Sequence, residues 1–321
     1  MRVVTVFEEH HPLLRALAGA GCRIERIGMA AVPSPSRVPY FYFGDVFEQI
    51  KTPLAFAHLR RALDRDGAPY VAWNRDAPWN CAIKPWRKLL VRLARRLDLH
   101  LAHSLQSAGL FGEPVIYFPN AAEADRYNLR GRTLDSLRDE SGYKFDVSFV
   151  GTLSPDFRRV RPRVQFLNEL GHRLKQSDIT YRVFDTSIGS PLPLAEQVDI
   201  IQASRINLSV GAVCDKPTES WGMPERCFGI ASCGGFLLCD ERKHAADTFP
   251  REAWAEFDGL DECVARIKFF LANFSHSRDK AELLYREVMA GHTYAIRAQQ
   301  LLTLVREWQD GKAMLSANAA A

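Results

Sequence analysis

Three stretches of this chain bring together residue types that could bind an anion. Gly151-Thr152 closes the run Phe145-Asp-Val-Ser-Phe-Val150, and a glycine at a strand end lets a backbone N–H approach a phosphate closely. Phe157-Arg-Arg-Val-Arg161 follows; its arginines, Arg158 foremost, have the fork that holds a phosphate or diphosphate through two bonds. The third stretch runs from Pro224 to Asp240, Pro-Glu-Arg-Cys-Phe-Gly-Ile-Ala-Ser-Cys-Gly-Gly-Phe-Leu-Leu-Cys-Asp. It reads as a helix opened by Pro224, stopped at Gly234-Gly235 and followed by a short buried strand. A helix start that opens onto a cleft presents free N–H groups to an anion. The plain reading of the same residues is a solvated basic helix start and an ordinary helix–strand unit.

Proton-transfer candidates lie earlier in the chain. Asp76 sits just after a strand end in Trp73-Asn-Arg-Asp-Ala-Pro78, and His10 and His11 follow the first strand. Histidine titrates near neutral pH, which suits a general base. Their plain readings are a turn former and a pair of surface histidines. Asp45, after a third strand, is a weaker candidate of the same kind. Asp64-Arg-Asp66 has the form of a metal-binding D-x-D, but it ends a basic helix at Gly67 and reads as a turn. His100 and His103 lack a third ligand at metal spacing, so no essential metal is expected. There is no phosphate-binding Walker loop, no G-x-S-x-G and no G-x-G-x-x-G in strand context.

The elements that must position these residues alternate between strand and helix. Strands are expected at 2–7, 22–27, 40–43, 69–73 and 97–103, then at 146–150, 179–184, 206–210 and 236–239, with helices between them. Such alternation signals parallel sheets, and the polar, aperiodic stretch 122–142 reads as a linker. The expected class is α/β, with two Rossmann-like domains and a cleft between them. Residues 1–142 form the first domain and 143–293 the second. A helix over 294–312 would cross back to the first domain, and 313–321 would be a frayed tail. Ligands of open parallel sheets bind outside the C-terminal strand ends.

Composition is that of an ordinary globular protein, with 321 residues, 47% hydrophobic and 25% charged, and a formal net charge of +4. The charge is too mild to argue for nucleic acid. The seven cysteines include no C-x-x-C pair, which points to reduced structural thiols. No apolar run approaches the ~20 residues of a membrane span, and no signal-peptide pattern opens the chain. A cytoplasmic location is expected. The helix-like run Lys84 to Leu97 has six positive residues and no acids over 84–96. It is either a core-packed helix with a solvated basic face or a surface that docks on the anionic inner face of the membrane.

Five motifs in order resemble the CgeB-like bacterial glycosyltransferases. Arg226-Cys-Phe-Gly-Ile-Ala-Ser-Cys-Gly-Gly-Phe-Leu-Leu-Cys-Asp240 is similar to the family's R-x-F-E-x-x-A-C-G-G-F-L-L-T-D. Val71-Ala-Trp-Asn-Arg-Asp-Ala-Pro78, Val115 to Ala121, Phe145 to Thr152 and His292-Thr-Tyr-x-x-Arg-Ala298 resemble the others. The likeness spans about Val71 to Val305. It implies the GT-B fold, with an acceptor domain first and a nucleotide-sugar donor domain second, and no cofactor beyond the donor itself. On this reading the donor contacts are Gly151, Thr152, Arg158, Glu219, Glu225, Arg226 and Gly234. Glu219 would take the sugar and Arg226 a phosphate, while Asp76, His10 or His11 would act as base. The acceptor would be a glycan, a lipid-linked glycan or a protein. One departure stands out: Gly229 occupies the place of the family glutamate that takes the ribose hydroxyls. Glu225, one turn earlier, either substitutes for it or is only an N-terminal helix acid. The alternatives are a nucleotide-sugar epimerase or hydrolase, and a non-catalytic glycan-binding protein.

Overall fold

The computed structural model describes residues 1–28, 31–35, 38–47, 52–74, 97–103, 105, 109, 114–154, 160–187, 192–211, 222–242 and 245–319, without the side chains of 247 and 312–319. The chain divides into two compact units. Unit 1 is Met1–Asn120 together with Tyr294–Ala321, and unit 2 is Ala121–Thr293.

Unit 1 is built on six parallel strands: β1 (Arg2–Thr5), β2 (Arg23–Arg26), β3 (Tyr40–Gly44), β4 (Tyr70–Asn74), β5 (Leu99–Ala102) and β6 (Val115–Tyr117), in spatial order β2-β1-β3-β4-β5-β6. The helices described here are α1 (Pro12–Gly19), α2 (Pro53–Asp66) and the last helix of the chain, treated below. The inner strands β3, β4 and β5 are buried throughout, as parallel strands covered on both faces must be. Unit 2 has a five-stranded parallel sheet of β7 (Phe145–Gly151), β8 (Tyr181–Asp185), β9 (Ser204–Ser209), β10 (Leu237–Asp240) and β11 (Ala255–Phe257), in order β11-β10-β9-β7-β8. Its helices are α3 (Arg161–Lys175), α4 (Leu194–Gln202), α5 (Glu225–Ser232), α6 (Gly259–Ala272) and α7 (Phe274–Gly291). Two apolar clusters hold it: Phe149, Leu170, Phe236 and Ile267 lie in one, and Val198, Phe228, Leu237 and Leu284 in the other.

Two expected boundaries move. The first unit ends at Asn120 and not at 142, because the polar stretch after it carries apolar anchors that pack into unit 2. Leu137 is 2% exposed, Tyr127 donates its hydroxyl to Gln197 Oε1 at 2.8 Å, and Gln202 Nε2 donates to Leu129 O at 3.1 Å. The final helix α8 (Tyr294–Ala319) runs past 312 instead of fraying there, in keeping with alanine's helix propensity. Its start is fixed within unit 1. Tyr294 meets the Trp73 ring edge-on at 6.2 Å, and the buried Arg297 donates to Pro119 O at 2.9 Å. Strands β6 and β11, three residues each, were not expected as strands from the sequence pattern.

Candidate functional site

At the carboxyl edge of the unit 2 sheet, β7, β9 and β10 are neighbours, so Gly151, Ser209 and Asp240 end side by side, with adjacent strands about 4.8 Å apart. Gly151 is buried, and its strand register places it opposite Asp185. A Cβ on Gly151 would stand 2.8 Å from Arg226 Cζ and closer still to one of its terminal nitrogens. The guanidinium of Arg226 therefore fills the space that the missing side chain leaves. Arg226 lies in the first turn of α5, which Pro224 precedes in extended conformation as N-cap (φ −63, ψ 151). Its Cζ sits 4.7 Å from the centre of the Phe149 ring, an arrangement favourable to a cation.

No carboxylate pairs with Arg226 among the described residues. Burial lowers its pKa from the ordinary arginine value, and the nearby Arg242 charge acts in the same direction. A second guanidinium, Arg163 of α3, lies 5.7 Å from the same Phe149 ring and donates to Thr152 O at 3.1 Å. The turn after β7 is tied further by Asp185, whose Oδ1 accepts from Leu153 N at 3.0 Å and Ser187 N at 2.8 Å. Thr152 Oγ1 lies 3.2 Å from Thr186 Oγ1. Gly151 and Thr152 are thus held in a turn anchored from α3 and β8, next to an arginine without a counter-ion among the described residues.

At the neighbouring strand ends, Arg242 Nη2 donates to both carboxylate oxygens of Asp240, at 2.8 and 3.1 Å. Asp240 Oδ2 also accepts from Gly211 N at 3.0 Å. Burial works against the Arg242 cation, but Asp240 and nearby thiols outweigh it, and its pKa is raised. Cys227 is fully enclosed between these groups and Ser209, to whose Oγ its thiol donates at 3.4 Å. Arg163, Asp185, Asp240 and Arg242 were not singled out in the sequence. Asp240 closes the third motif and Arg242 follows two residues later; that Gly211 holds Asp240 from the other side is visible only once β9 brings it alongside.

The remaining expected site residues are placed as follows. Glu225 is partly buried in the first turn of α5 with Arg226. Gly234 is not beside Arg226 and the start of α5. It terminates α5 at the opposite end with φ +72, walled in by Leu129, Leu134 and Leu137, and its carbonyl accepts from Arg278 at 2.6 Å. That left-handed backbone is why glycine is required there. Gly229 is buried against Tyr127, whose ring carbons a Cβ would meet at 3.5 Å. Burial, and next the charge of Glu123, push the Tyr127 hydroxyl up to about 12. Arg158, Glu219 and Asp76 lie outside the described residues, as does the basic run 84–96.

In unit 1 the two histidines part company. His10 is exposed. His11 is 8% exposed, stacked on Phe7 at 4.8 Å and edge-on to Phe43 and Trp73 at 5.6 and 5.7 Å. The pair of surface histidines is therefore half right: the second is part of an aromatic cluster at the carboxyl edge of β1, β3 and β4. Asp45 closes a turn by accepting from Phe47 N at 2.7 Å. The carboxylates of Asp64 and Asp66 are engaged by Arg60 at 2.7 Å and by Tyr40 Oη at 2.8 Å, and Gly67 stops the helix at φ +65.

Two Rossmann-like α/β units, both with parallel sheets, define the GT-B glycosyltransferase fold, and comparison with solved structures agrees. Trehalose 6-phosphate synthase from Burkholderia multivorans superposes with a TM-score of 0.62 at 10% identity, covering 100% of this chain and 99% of its own. Sucrose-phosphate synthase from Thermosynechococcus elongatus gives 0.60 at 11%, with 96% and 98% covered. HepE from Anabaena, solved in complex with UDP and glucose, gives 0.58 at 13%, with 95% and 99% covered. No curated protein matches the sequence significantly. The glycosyl transferase-like family model matches residues 130–303, more than half of the chain, and the protein belongs to that family.

Proposed function

We propose that the protein moves a sugar from a nucleoside diphosphate sugar to an acceptor hydroxyl. The observation that carries this reading is Arg226, a partly buried guanidinium beside Gly151 with no counter-ion among the described residues. A charge held in that state favours an anion that supplies the missing partner. The diphosphate would lie at Gly151-Thr152 and the start of α5, and Arg226 would stabilise it as it departs with the negative charge of the broken glycosidic bond. Glu225, Arg158 and Glu219 complete the donor contacts in this proposal. His11, His10 or Asp76 would take the acceptor proton. HepE, solved with UDP and glucose, sits on the same fold and supports the reading by analogy of fold alone.

The test is a thermal-shift screen of UDP, GDP, dTDP, ADP and CMP with their sugars. Saturation at ~100 times the dissociation constant adds ~2.7 kcal/mol. One diphosphate series should raise Tm, and R226Q should abolish the shift while keeping the unliganded Tm. A wild-type protein that responds to none of them removes the proposal. The absence of a carboxylate at 229, where Tyr127 covers the backbone, favours one second reading, a non-catalytic glycan-binding protein; that outcome would support it.

We place the acceptor among surface glycans, lipid-linked glycans or proteins of a bacterial envelope pathway, with 84–97 as a docking surface for anionic lipid. No described helix is long and apolar enough to cross a membrane. Flotation with anionic liposomes checks the docking element. An Arg92/Arg95/Arg96→Glu variant that floats as well as wild type would remove it.

A further inference from the structure

Resting on the reading of unit 2 as a nucleoside diphosphate site, we infer that Arg242 is a second anion-binding guanidinium. Asp240 positions it so that, with Arg226, it takes a group carrying more than one negative charge, a diphosphate over a monophosphate.

The geometry of the Asp240–Arg242 pair argues against a closed structural ion pair. A structural arginine–carboxylate pair usually aligns two guanidinium nitrogens with two oxygens in a fork. Here a single nitrogen, Nη2, makes both bonds. Nε is buried and has no hydrogen-bond partner among the described residues, in a side chain only 7% exposed. A buried unpaired donor is costly, and it sits at the carboxyl edge of a parallel sheet, where ligands of such sheets bind. An oxyanion approaching the Nε side of the guanidinium would satisfy it without disturbing Asp240.

Asp240 is itself held on its other side. Its Oδ2 accepts from Gly211 N at 3.0 Å, and a Cβ at 211 would come within 2.7 Å of that oxygen and 3.2 Å of Arg242 Nη2. The strand end, the carboxylate and the guanidinium therefore form a fixed stack, with its reach set by the backbone of β9. The charges are also uneven. Arg226 and Arg242 face one carboxylate, Asp240, and that carboxylate is engaged by Arg242. Among the described residues the surplus is one positive charge at Arg226 plus the unpartnered Nε of Arg242. Arg226 stands over the end of β7 and Arg242 Nη2 beside Gly211 just past β9, and these neighbouring strands lie ~5 Å apart, so the two linked groups of a diphosphate can meet one guanidinium each.

The experiment titrates the full chain calorimetrically with sodium pyrophosphate and with orthophosphate, in wild type, R242Q, R242K and R226Q, with melting curves run on each. Wild type should prefer pyrophosphate by at least about tenfold, the size of one charge-assisted contact. In R242Q that preference should shrink to about threefold or less. R242K keeps the charge opposite Asp240 and so protects the fold; losing the planar fork, it should still lose at least about half of the preference. If R242Q does not fold, R242K alone decides. An unchanged preference in R242Q, or in R242K when R242Q is unfolded, overturns the inference. The donor reading is judged separately. If R226Q weakens nucleoside diphosphate binding and Arg242 variants do not, only the role of Arg242 falls. If wild type binds neither pyrophosphate nor any nucleoside diphosphate, both fall.

Discussion

The side chain of Arg226 occupies the volume that a side chain on Gly151 would need. An alanine Cβ at 151 would stand 2.8 Å from Arg226 Cζ and 3.0 Å from Phe149 Cζ. Phe149 is fully buried and cannot retreat, so the guanidinium must move. Gly151→Ala is expected to cost about 1–3 kcal/mol of stability, the usual penalty of overpacking, and to lower nucleoside diphosphate affinity by about tenfold or more, since the displaced arginine loses its contact. Calorimetry on the folded variant checks this. Wild-type affinity in Gly151→Ala would mean that Arg226 does not meet the ligand from this position.

Gly229 and Tyr127 make a prediction of opposite sign. A methyl at 229 would meet the Tyr127 ring at 3.5 Å, an ordinary contact, and would remove the entropic cost of a glycine inside a helix. Gly229→Ala should stabilise the protein by about 0.5–1 kcal/mol, seen as a higher urea midpoint. Gly229→Glu has to pass the ring, which Gln197 holds through the hydroxyl, and should destabilise by about 1–3 kcal/mol. A Glu variant at least as stable as wild type would show that Tyr127 does not wall this position.

Asp185 gives a pH dependence. Burial raises its pKa, but hydrogen bonds from Ser187 and from Leu153 N outweigh it, leaving the folded value below the ordinary aspartate value. A depressed carboxylate stabilises the fold above its unfolded pKa of about 3.9 and loses that contribution as pH falls through the folded value. Wild type should therefore lose Tm on acidification below about pH 4 more steeply than Asp185→Asn. Melting curves from pH 3 to 7 measure it, and parallel curves would contradict the anchoring of the β7 turn by this carboxylate.

Much of this was legible in the sequence because backbone patterning is local. Strand β7 and its closing Gly151, the Pro224 helix start and the Gly234 stop are each written in adjacent residues with one physical meaning. The boundary at 142 misled because Tyr127, Leu129 and Leu137 are spaced without period, and only their partners on α4 and at Gly234 show that they pack onto unit 2. Gly234 was assigned to the ligand because its motif runs through both ends of α5; an eight-residue helix separates a glycine needed for φ from an arginine needed for charge. Arg163 escaped notice since it faces Phe149 from another element, and such pairing has no signature along the chain; Arg242 lies only two residues from Asp240, but its place beside Gly211 at the end of another strand is not written in adjacent residues. His11 shows the same limit: the sequence shows two neighbouring histidines, and the sheet decides which one enters the aromatic cluster.

The chain enters unit 2 and leaves it at one place. Ala122 pairs with Thr293 in a parallel bridge, and Ala122 N donates to His292 O at 2.8 Å. Residues 121–293 are thus an insertion into unit 1, with ends one bridge apart, the arrangement that tolerates excision and replacement. Because Gly151, Arg226, Asp240 and Arg242 all lie inside that insertion, exchanging it between relatives would carry the proposed anion site as one cassette. On the proposed donor reading, the specificity of that site could evolve by an exchange whose two chain junctions lie one bridge apart.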